Sequence, residues 1–150
     1  MKLGILDTVP RSYWSTDLGI TESEKFIDFL TPVMPDATLD QLFVAENEWP
    51  DSLYSYDAYL VTGSPCSVNE EHLWIEKLQQ FVRNCLVSQK KLVGICFGHQ
   101  LIASAFGGTV ERRRDGWLLG VESFDIVDVQ SWMKPTKMKC EIFHINQDHV

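Results

Sequence analysis

The chain has 150 residues, of which 45% are hydrophobic and 23% are charged, and its formal net charge is −8. Length and composition of this kind are typical of a single globular domain with a substantial core. The acidic balance argues against nucleic acid and anionic membranes as partners, and no apolar run reaches the roughly 20 residues that span a bilayer. We therefore expect one domain, residues 1–150, that binds neither nucleic acid nor a membrane.

Cysteine usage indicates a reducing compartment. The four cysteines, Cys66, Cys85, Cys96 and Cys140, form no C-x-x-C pair and lack the density of a disulfide framework. No signal-peptide pattern precedes the first apolar run. These features predict a cytoplasmic protein.

The first half of the chain alternates between strand and helix patterns. Apolar runs predict strands at residues 2–6 and 58–62 and a weaker one at 39–44. Residues 7–20 are expected to form a loop. A capping box at residues 21–24 then predicts a helix whose apolar face continues to Val33, disturbed at Pro32 and ended by Pro35.

The second half begins with the strongest helix pattern of the sequence, at residues 70–88, where apolar side chains recur every three or four positions. A buried strand is predicted at residues 91–96 and a helix at 100–106, which Gly107-Gly108 ends. Segments near residues 109–112, 120–127 and 138–143 predict an antiparallel β extension. The alternation predicts an α/β fold with a mostly parallel sheet and helices on both faces.

A cysteine lies between two glycines in Gly94-Ile-Cys96-Phe-Gly98-His-Gln100, where the predicted strand passes into the predicted helix. This is the arrangement of a nucleophile elbow, in which glycines let the flanking backbones pass closely. The adjacent helix N-terminus is expected to lower the thiol pKa. The alternative is a cysteine that only fills the core. The two glycines and the strand-turn-helix context favour a nucleophile.

Residues 94–100 resemble the glutaminase elbow of class I glutamine amidotransferases. Four further segments are similar in order and spacing to the stand-alone, GMP-synthase-like group. They are the segment from Asp57 to Pro65, Trp74-Ile75, Gly107-Gly108 and Gly116-Trp-Leu-Leu-Gly120-Val. The resemblance covers nearly the whole chain. It implies a flavodoxin-like α/β domain that hydrolyses the side-chain amide of glutamine through a γ-glutamyl thioester, with no metal and no organic cofactor.

The resemblance implies roles for individual residues of this region. Cys96 would be the nucleophile, the backbone amides of Gly63, Ser64 and Phe97 the oxyanion hole, and Gly98 and Gln100 substrate contacts. From the residues alone, an ordinary turn is as good an interpretation of Gly63-Ser64 as an oxyanion hole. The alternative interpretation of Gln100 is a solvated helix residue. His99 is expected to pack or to act through another residue.

The tail, residues 143–150, resembles the Ser-His-x-Asp-x-Val segment that lines the glutamine pocket in this family. Ile145 and Asn146 stand where Ser and His are usual, so only Asp148 and Val150 carry over from the family's segment. The candidates for substrate binding in this stretch are Gln147 and Asp148. A metal bound by His144, Asp148 and His149 is a poor alternative, because one short cluster supplies no confirming partner spacing. Surface polar residues are the favoured interpretation.

The family's catalytic His and Glu lie in a His-Pro-Glu-like segment beyond the Asp-x-Val, and no His-x-Glu occurs in this chain. A cysteine without a base lacks a proton acceptor and an ion-pair partner. We therefore expect a weak or inactive glutaminase. A non-catalytic binding or regulatory module on the same fold and a truncated product of a longer reading frame remain alternatives.

Two further expectations concern partners. A γ-glutamyl peptide or conjugate could replace glutamine, because only the leaving group would change. The related peptidases and deglycases usually carry His directly after the elbow cysteine, and Phe97 in that place argues against them. A sheet that lacks its C-terminal cover would also expose an apolar side and favour self-association.

Overall fold

The structure of the protein is a computed structural model that describes residues 1–13 and 19–150. It divides into two compact units, which we describe separately: residues 1–110 with Val150, and Glu111–His149. The part of the predicted loop at residues 14–18 lies outside the described residues. The single-domain organisation expected from the sequence stays a prediction.

The first unit is built on a four-stranded parallel sheet in the order β2-β1-β3-β4. Its strands are β1 (Lys2–Asp7), β2 (Thr38–Phe43), β3 (Ala58–Val61) and β4 (Lys91–Gly94). The inner strands β1 and β3 are buried on both faces, which explains their uninterrupted apolar sequence. The predicted second strand ended one residue too late, because Val44 begins a short 3-10 turn.

Three helices cover the sheet: α1 (Glu22–Leu30), α2 (Leu73–Val87) and α3 (Phe97–Ala105). The capping box predicted for α1 is confirmed, with Thr21 and Glu24 bonded reciprocally. The extension of its apolar face to Val33 was wrong, because Pro32 cannot continue the helix and Val33 is 71% exposed. The helix expected from residue 100 begins earlier, at Phe97, directly after the elbow cysteine.

Alternate side chains of the inner strands build a core on each face of the sheet. On one face Ile5 and Leu60 pack with the apolar side of α1. On the other, Leu6, Tyr59 and Val61 pack with α2 and α3. Full burial of one such aliphatic side chain contributes roughly 1.5–3 kcal/mol. The mostly parallel sheet with helices on both faces, predicted from the sequence, is confirmed.

The carboxylate of Asp7 connects the end of β1 to the start of α1. It is fully buried, and its Oδ2 accepts hydrogen bonds from the Ser23 N–H at 2.8 Å and the Ser23 hydroxyl at 2.6 Å. Its Oδ1 accepts the Val9 N–H at 3.0 Å. A buried carboxylate is expected to be satisfied by donors in this way, and here the helix N-terminus supplies two of them.

The second unit contains two antiparallel strand pairs. The long pair joins β6 (Leu118–Asp125) to β7 (Lys139–Asn146), and the short pair joins β5 (Glu111–Arg112) to β8 (Asp148–His149). The antiparallel extension predicted for this region is confirmed, although β7 runs three residues further than expected. In the part of the chain that the structure describes, every helix is too short or too polar to cross a membrane.

Candidate active site

The elbow lies at the carboxyl end of β4, where the chain turns into α3. Cys96 is the N-cap of α3 and has φ 53° and ψ −108°, a region that L-residues seldom occupy. A non-glycine residue held in such a conformation costs on the order of 1–3 kcal/mol, which the surrounding structure must offset. Cys96 is exposed at this strained turn, as a nucleophile elbow requires.

Two glycines make this turn sterically feasible. A Cβ on Gly94 would lie 2.4 Å from the carbonyl oxygen of Gly98, and one on Gly98 would lie 2.4 Å from the Val61 carbonyl oxygen. Both obstacles are backbone atoms that cannot rotate away. The expectation that glycines on either side of Cys96 let the flanking backbones pass closely is confirmed.

The thiol of Cys96 is exposed, so the alternative of a cysteine that only fills the core is wrong. Neighbouring atoms nevertheless desolvate the thiol in part, and this desolvation raises the pKa of Cys96. A hydrogen bond from the Phe97 backbone N–H lowers the same pKa, and the Glu22 carboxylate raises it. The helix N-terminus thus lowers the thiol pKa as expected, through the Phe97 N–H, but desolvation outweighs this contribution and the net shift of the pKa is upward.

The loop that follows β3 lies beside the elbow. A Cβ built on Gly63 would be 3.7 Å from the Cys96 Cβ, so the two residues are neighbours in space. Within residues 1–13 and 19–150, the backbone N–H groups of Gly63 and Ser64 have no hydrogen-bond partner. The loop beside the elbow therefore carries two unpaired backbone donors, and Gly63 is the one shown to neighbour Cys96.

Two buried threonines, which the sequence analysis did not identify, hold this loop in place. The Thr8 N–H donates to the Thr62 hydroxyl at 3.0 Å, and the Thr8 hydroxyl donates to the Gly63 carbonyl at 2.6 Å. The Ser64 hydroxyl returns a hydrogen bond to the Thr8 carbonyl at 3.0 Å. The ends of β1 and β3 therefore fix the loop that contacts Cys96.

The remaining predicted residues of α3 differ in burial. Phe97 and Gly98 are buried, and the Phe97 ring packs against Trp74 with centroids 5.7 Å apart. Gln100 is 6% exposed, which excludes the alternative of a solvated helix residue. His99 is exposed, so its expected packing role was wrong.

Gln147 and Asp148 belong to the second unit. Asp148 is buried, and its Oδ1 accepts a hydrogen bond from Arg112 Nε at 3.2 Å. The Gln147 carbonyl accepts the Arg113 N–H at 2.8 Å, continuing the β5–β8 pairing. The structure thus assembles Gly63, Ser64, Cys96, Phe97, Gly98 and Gln100 in the first unit and these two residues in the second.

No histidine, lysine or arginine in the described part of the chain forms a hydrogen bond or an ion pair with Cys96. The groups that act on the thiol are therefore one backbone donor and one acidic side chain. Such surroundings favour the neutral thiol over the thiolate.

Comparison with known proteins identifies the family. The family Glutamine amidotransferase class-I matches residues 33–145. Gamma-glutamyl peptidase 4 of Arabidopsis thaliana is 38% identical over 90 residues, which cover 59% of this chain and 36% of that protein. The glutamine-hydrolyzing GMP synthase subunit of Saccharolobus solfataricus is 28% identical over 100 residues, covering 67% of this chain and 51% of that protein.

A crystal structure of a glutamine amidotransferase from Thermotoga maritima shares the fold. It superposes with a TM-score of 0.79 at 18% identity, covering 99% of this chain and 61% of that one. The chain thus spans between about a third and three fifths of the length of the proteins it matches. With a family match over most of its residues and a flavodoxin-like fold around the Cys96 elbow, the chain belongs to the class I glutamine amidotransferases.

Proposed function

We propose that this domain hydrolyses the side-chain amide of glutamine, with Cys96 as the nucleophile. The observation that carries the proposal is the strained turn at Cys96, where the Phe97 N–H bonds the thiol and Gly63, whose N–H group is unpaired, is a neighbour in space. The thiol is thereby presented to solvent between donors that an oxyanion could use.

In the proposed reaction the Cys96 thiol gives its proton to solvent as Sγ attacks the carboxamide carbon, and the amide oxygen takes the negative charge. The backbone N–H groups of Phe97, Gly63 and Ser64 stabilise this oxyanion. The C–N bond then breaks, the leaving nitrogen takes up a proton as ammonia, and a γ-glutamyl thioester remains. Water hydrolyses the thioester to glutamate and restores the thiol, with no metal or organic cofactor in the reaction.

Substrate binding is assigned to four further residues. Gly98 and the buried Gln100 are the candidates in the first unit, and Gln147 and the buried Asp148 are those in the second. We expect slow turnover, because the described residues that act on the Cys96 thiol include no base and the pKa of Cys96 is raised.

A glutamine-derived electrophile such as a diazoketone tests the proposal directly. We expect an adduct on Cys96, found by peptide mass spectrometry, that excess glutamine prevents. The matched control is Cys140→Ser, which keeps the adduct, whereas Cys96→Ser loses both the adduct and any ammonia release. Labelling of Cys66 or Cys140 with none at Cys96 would contradict the assignment.

A γ-glutamyl peptide is the second candidate substrate, and the 38% identity with gamma-glutamyl peptidase 4 supports it. The thioester chemistry would be unchanged, because only the leaving amine differs. Protection of Cys96 from the electrophile by a γ-glutamyl dipeptide at lower concentration than by glutamine would favour the peptide. Protection without release of ammonia or amine from either ligand would instead favour a non-catalytic binding module.

We also propose that the first unit self-associates through the free edge of β4. Among the described strands, β4 pairs only with β3, and its apolar residue Val93 is 53% exposed. Light scattering coupled to size exclusion should show a mass that rises with protein concentration. Val93→Lys should reduce this association, whereas Val87→Lys, at an equally apolar exposed position ending α2, should not. A monomer at every concentration would refute the proposal.

A further inference from the structure

The loop between β3 and α2 brings together three side chains that can ligate a metal ion. They are the Cys66 thiol, the Glu70 carboxylate and the His72 imidazole, and one ligand atom of each lies within 4.8 Å of the other two. We refer to them as the Cys66–Glu70–His72 cluster. None of the three belongs to the elbow or to the residues assigned to glutamine.

Backbone hydrogen bonds hold the cluster in a compact turn. The Glu70 Oε1 atom accepts the Ser67 N–H at 2.9 Å, which leaves Oε2 directed at His72 Nε2, 3.1 Å away. The Glu70 N–H in turn donates to the Ser67 carbonyl at 3.1 Å, and the His72 N–H donates to the Glu70 carbonyl at 2.9 Å. All three ligand residues therefore lie on one pre-formed stretch of seven positions, 66–72.

A ring contact with Trp74 also restrains the orientation of the His72 imidazole. The His72 ring stacks on Trp74, with centroids 6.2 Å apart and planes 19° from parallel. The Cys66 N–H donates to the Ser64 hydroxyl at 3.2 Å, which fixes the backbone that carries the thiol. Supporting contacts of this kind around ligand residues favour a defined coordination geometry.

The donor set selects the ion by its chemistry. A thiolate, an imidazole and a carboxylate are the three ligand types that zinc takes in proteins, whereas calcium and magnesium take oxygen ligands. Three protein ligands leave the fourth tetrahedral position for water or an external ligand. The side chains of His72 and Glu70 are 47% and 44% exposed, so an ion can enter from solvent.

We propose that the Cys66–Glu70–His72 cluster binds one zinc ion, with Cys66 Sγ, Glu70 Oε2 and His72 Nε2 as ligands and one position open. The ion would crosslink the loop that begins at Gly63. The Ser64 hydroxyl already anchors this loop to the Thr8 carbonyl, directly after β1. This inference does not rest on glutamine hydrolysis. The spacing C-x3-E-x-H differs from the common zinc patterns, so the sequence alone did not indicate the site.

Metal titration of the whole reduced chain tests the site without reference to catalysis. Competition with a chromophoric zinc chelator should show one zinc per chain. Cobalt(II) substitution should give the near-ultraviolet charge-transfer band of a thiolate–cobalt bond. In Cys66→Ser this band should disappear and zinc affinity should fall at least tenfold.

Two conservative variants and a control complete the experiment. Glu70→Gln keeps an acceptor for the Ser67 N–H and should weaken zinc binding at least tenfold while the circular dichroism spectrum is unchanged. His72→Gln should do the same. Cys140→Ser, at the other partly buried cysteine, should leave both the affinity and the cobalt band as in the parent chain. Absence of stoichiometric zinc, or a cobalt band that survives Cys66→Ser, would overturn the proposal.

Discussion

The backbones of Gly94 and Gly98 approach so closely that a Cβ on Gly94 would lie 2.4 Å from both the carbonyl carbon and the carbonyl oxygen of Gly98. Only hydrogen atoms fit at that position, so the strand before Cys96 and the helix after it are pressed together. The geometry of the elbow therefore depends on the packing of main chains, and Cys96 lies in the turn between them with φ 53°.

Substitution of Gly98 should show how much this packing contributes. Gly98→Ala places a Cβ 2.4 Å from the Val61 carbonyl oxygen, and the resulting backbone shift should cost about 1–3 kcal/mol of unfolding free energy. Gly63→Ala is the matched control, because its Cβ would meet Cys96 at an ordinary 3.7 Å. Urea denaturation measures both. Equal stability of the two variants would contradict the steric account.

The strain at Cys96 predicts an unusual order of stability. At φ 53° an L-residue pays a steric cost that glycine avoids, so Cys96→Gly should be more stable than Cys96→Ala by about 1 kcal/mol. Cys140 lies in β7, where alanine should be the more stable of the same two replacements. Thermal or urea unfolding of the four variants provides the comparison. The same order at both positions would show that residue 96 carries no strain.

Glu22 should make a modest contribution to the reactivity of the elbow thiol, smaller than that of desolvation. Its carboxylate raises the pKa of Cys96, so Glu22→Gln should lower that pKa and increase the fraction of thiolate below it. At pH 8 and low salt, alkylation of Cys96 by iodoacetamide should accelerate roughly twofold, and 1 M salt should reduce the difference. Asp28→Asn, on the same helix, should have no effect. An unchanged alkylation rate in Glu22→Gln would show that Glu22 does not affect the Cys96 thiol.

Buried Cys85 predicts a loss of stability at alkaline pH. Burial raises the pKa of this thiol to about 11, so the native state keeps a proton that the unfolded chain releases near pH 9. The stabilisation is complete below pH 9 and is lost as the pH rises to about 11, by roughly 2–3 kcal/mol. Unfolding free energies across this range should decline less steeply in Cys85→Ala. If the unfolding free energies of the parent chain and of Cys85→Ala declined in parallel with pH, Cys85 would not be the group responsible for the loss of stability.

Thr8 should position the loop beside the elbow. Thr8→Val removes the hydroxyl that donates to the Gly63 carbonyl at 2.6 Å and should cost about 1 kcal/mol or more of stability. We also expect slower labelling of Cys96 by the glutamine-derived electrophile, because the neighbouring N–H groups lose their fixed position. Thr8→Ser keeps the hydroxyl and should restore labelling. Rescue of stability without rescue of labelling would confine Thr8 to a structural role.

The features that the sequence predicted are those with a local signature. Gly94 and Gly98 flank the cysteine at fixed spacing, and the sheet strands are short apolar runs, so the elbow and the parallel sheet could be inferred from residue order alone. The capping box at Thr21 was equally local. Each of these patterns is contained within a few neighbouring residues, so it can be recognised in a single sequence.

The features that were missed depend on residues far apart in the chain. Thr8 and Thr62 are 54 positions apart, and their contact is created by the adjacency of β1 and β3. The direction of the Cys96 pKa shift depends on how much water neighbouring atoms displace and on Glu22 from another helix. The early start of α3 was missed because Phe97 and Gly98 carry no helical periodicity of their own.

The strand order β2-β1-β3-β4 also bears on how the sheet can assemble during translation. Of these four strands, the two earliest in the chain are neighbours, the third adds to the free side of β1, and the fourth adds to the third. Each new strand therefore finds an edge already made by earlier residues, so growth need not await a later segment. Cys96 follows the fourth of these strands directly, so its strained turn forms next to strands that precede it in the chain.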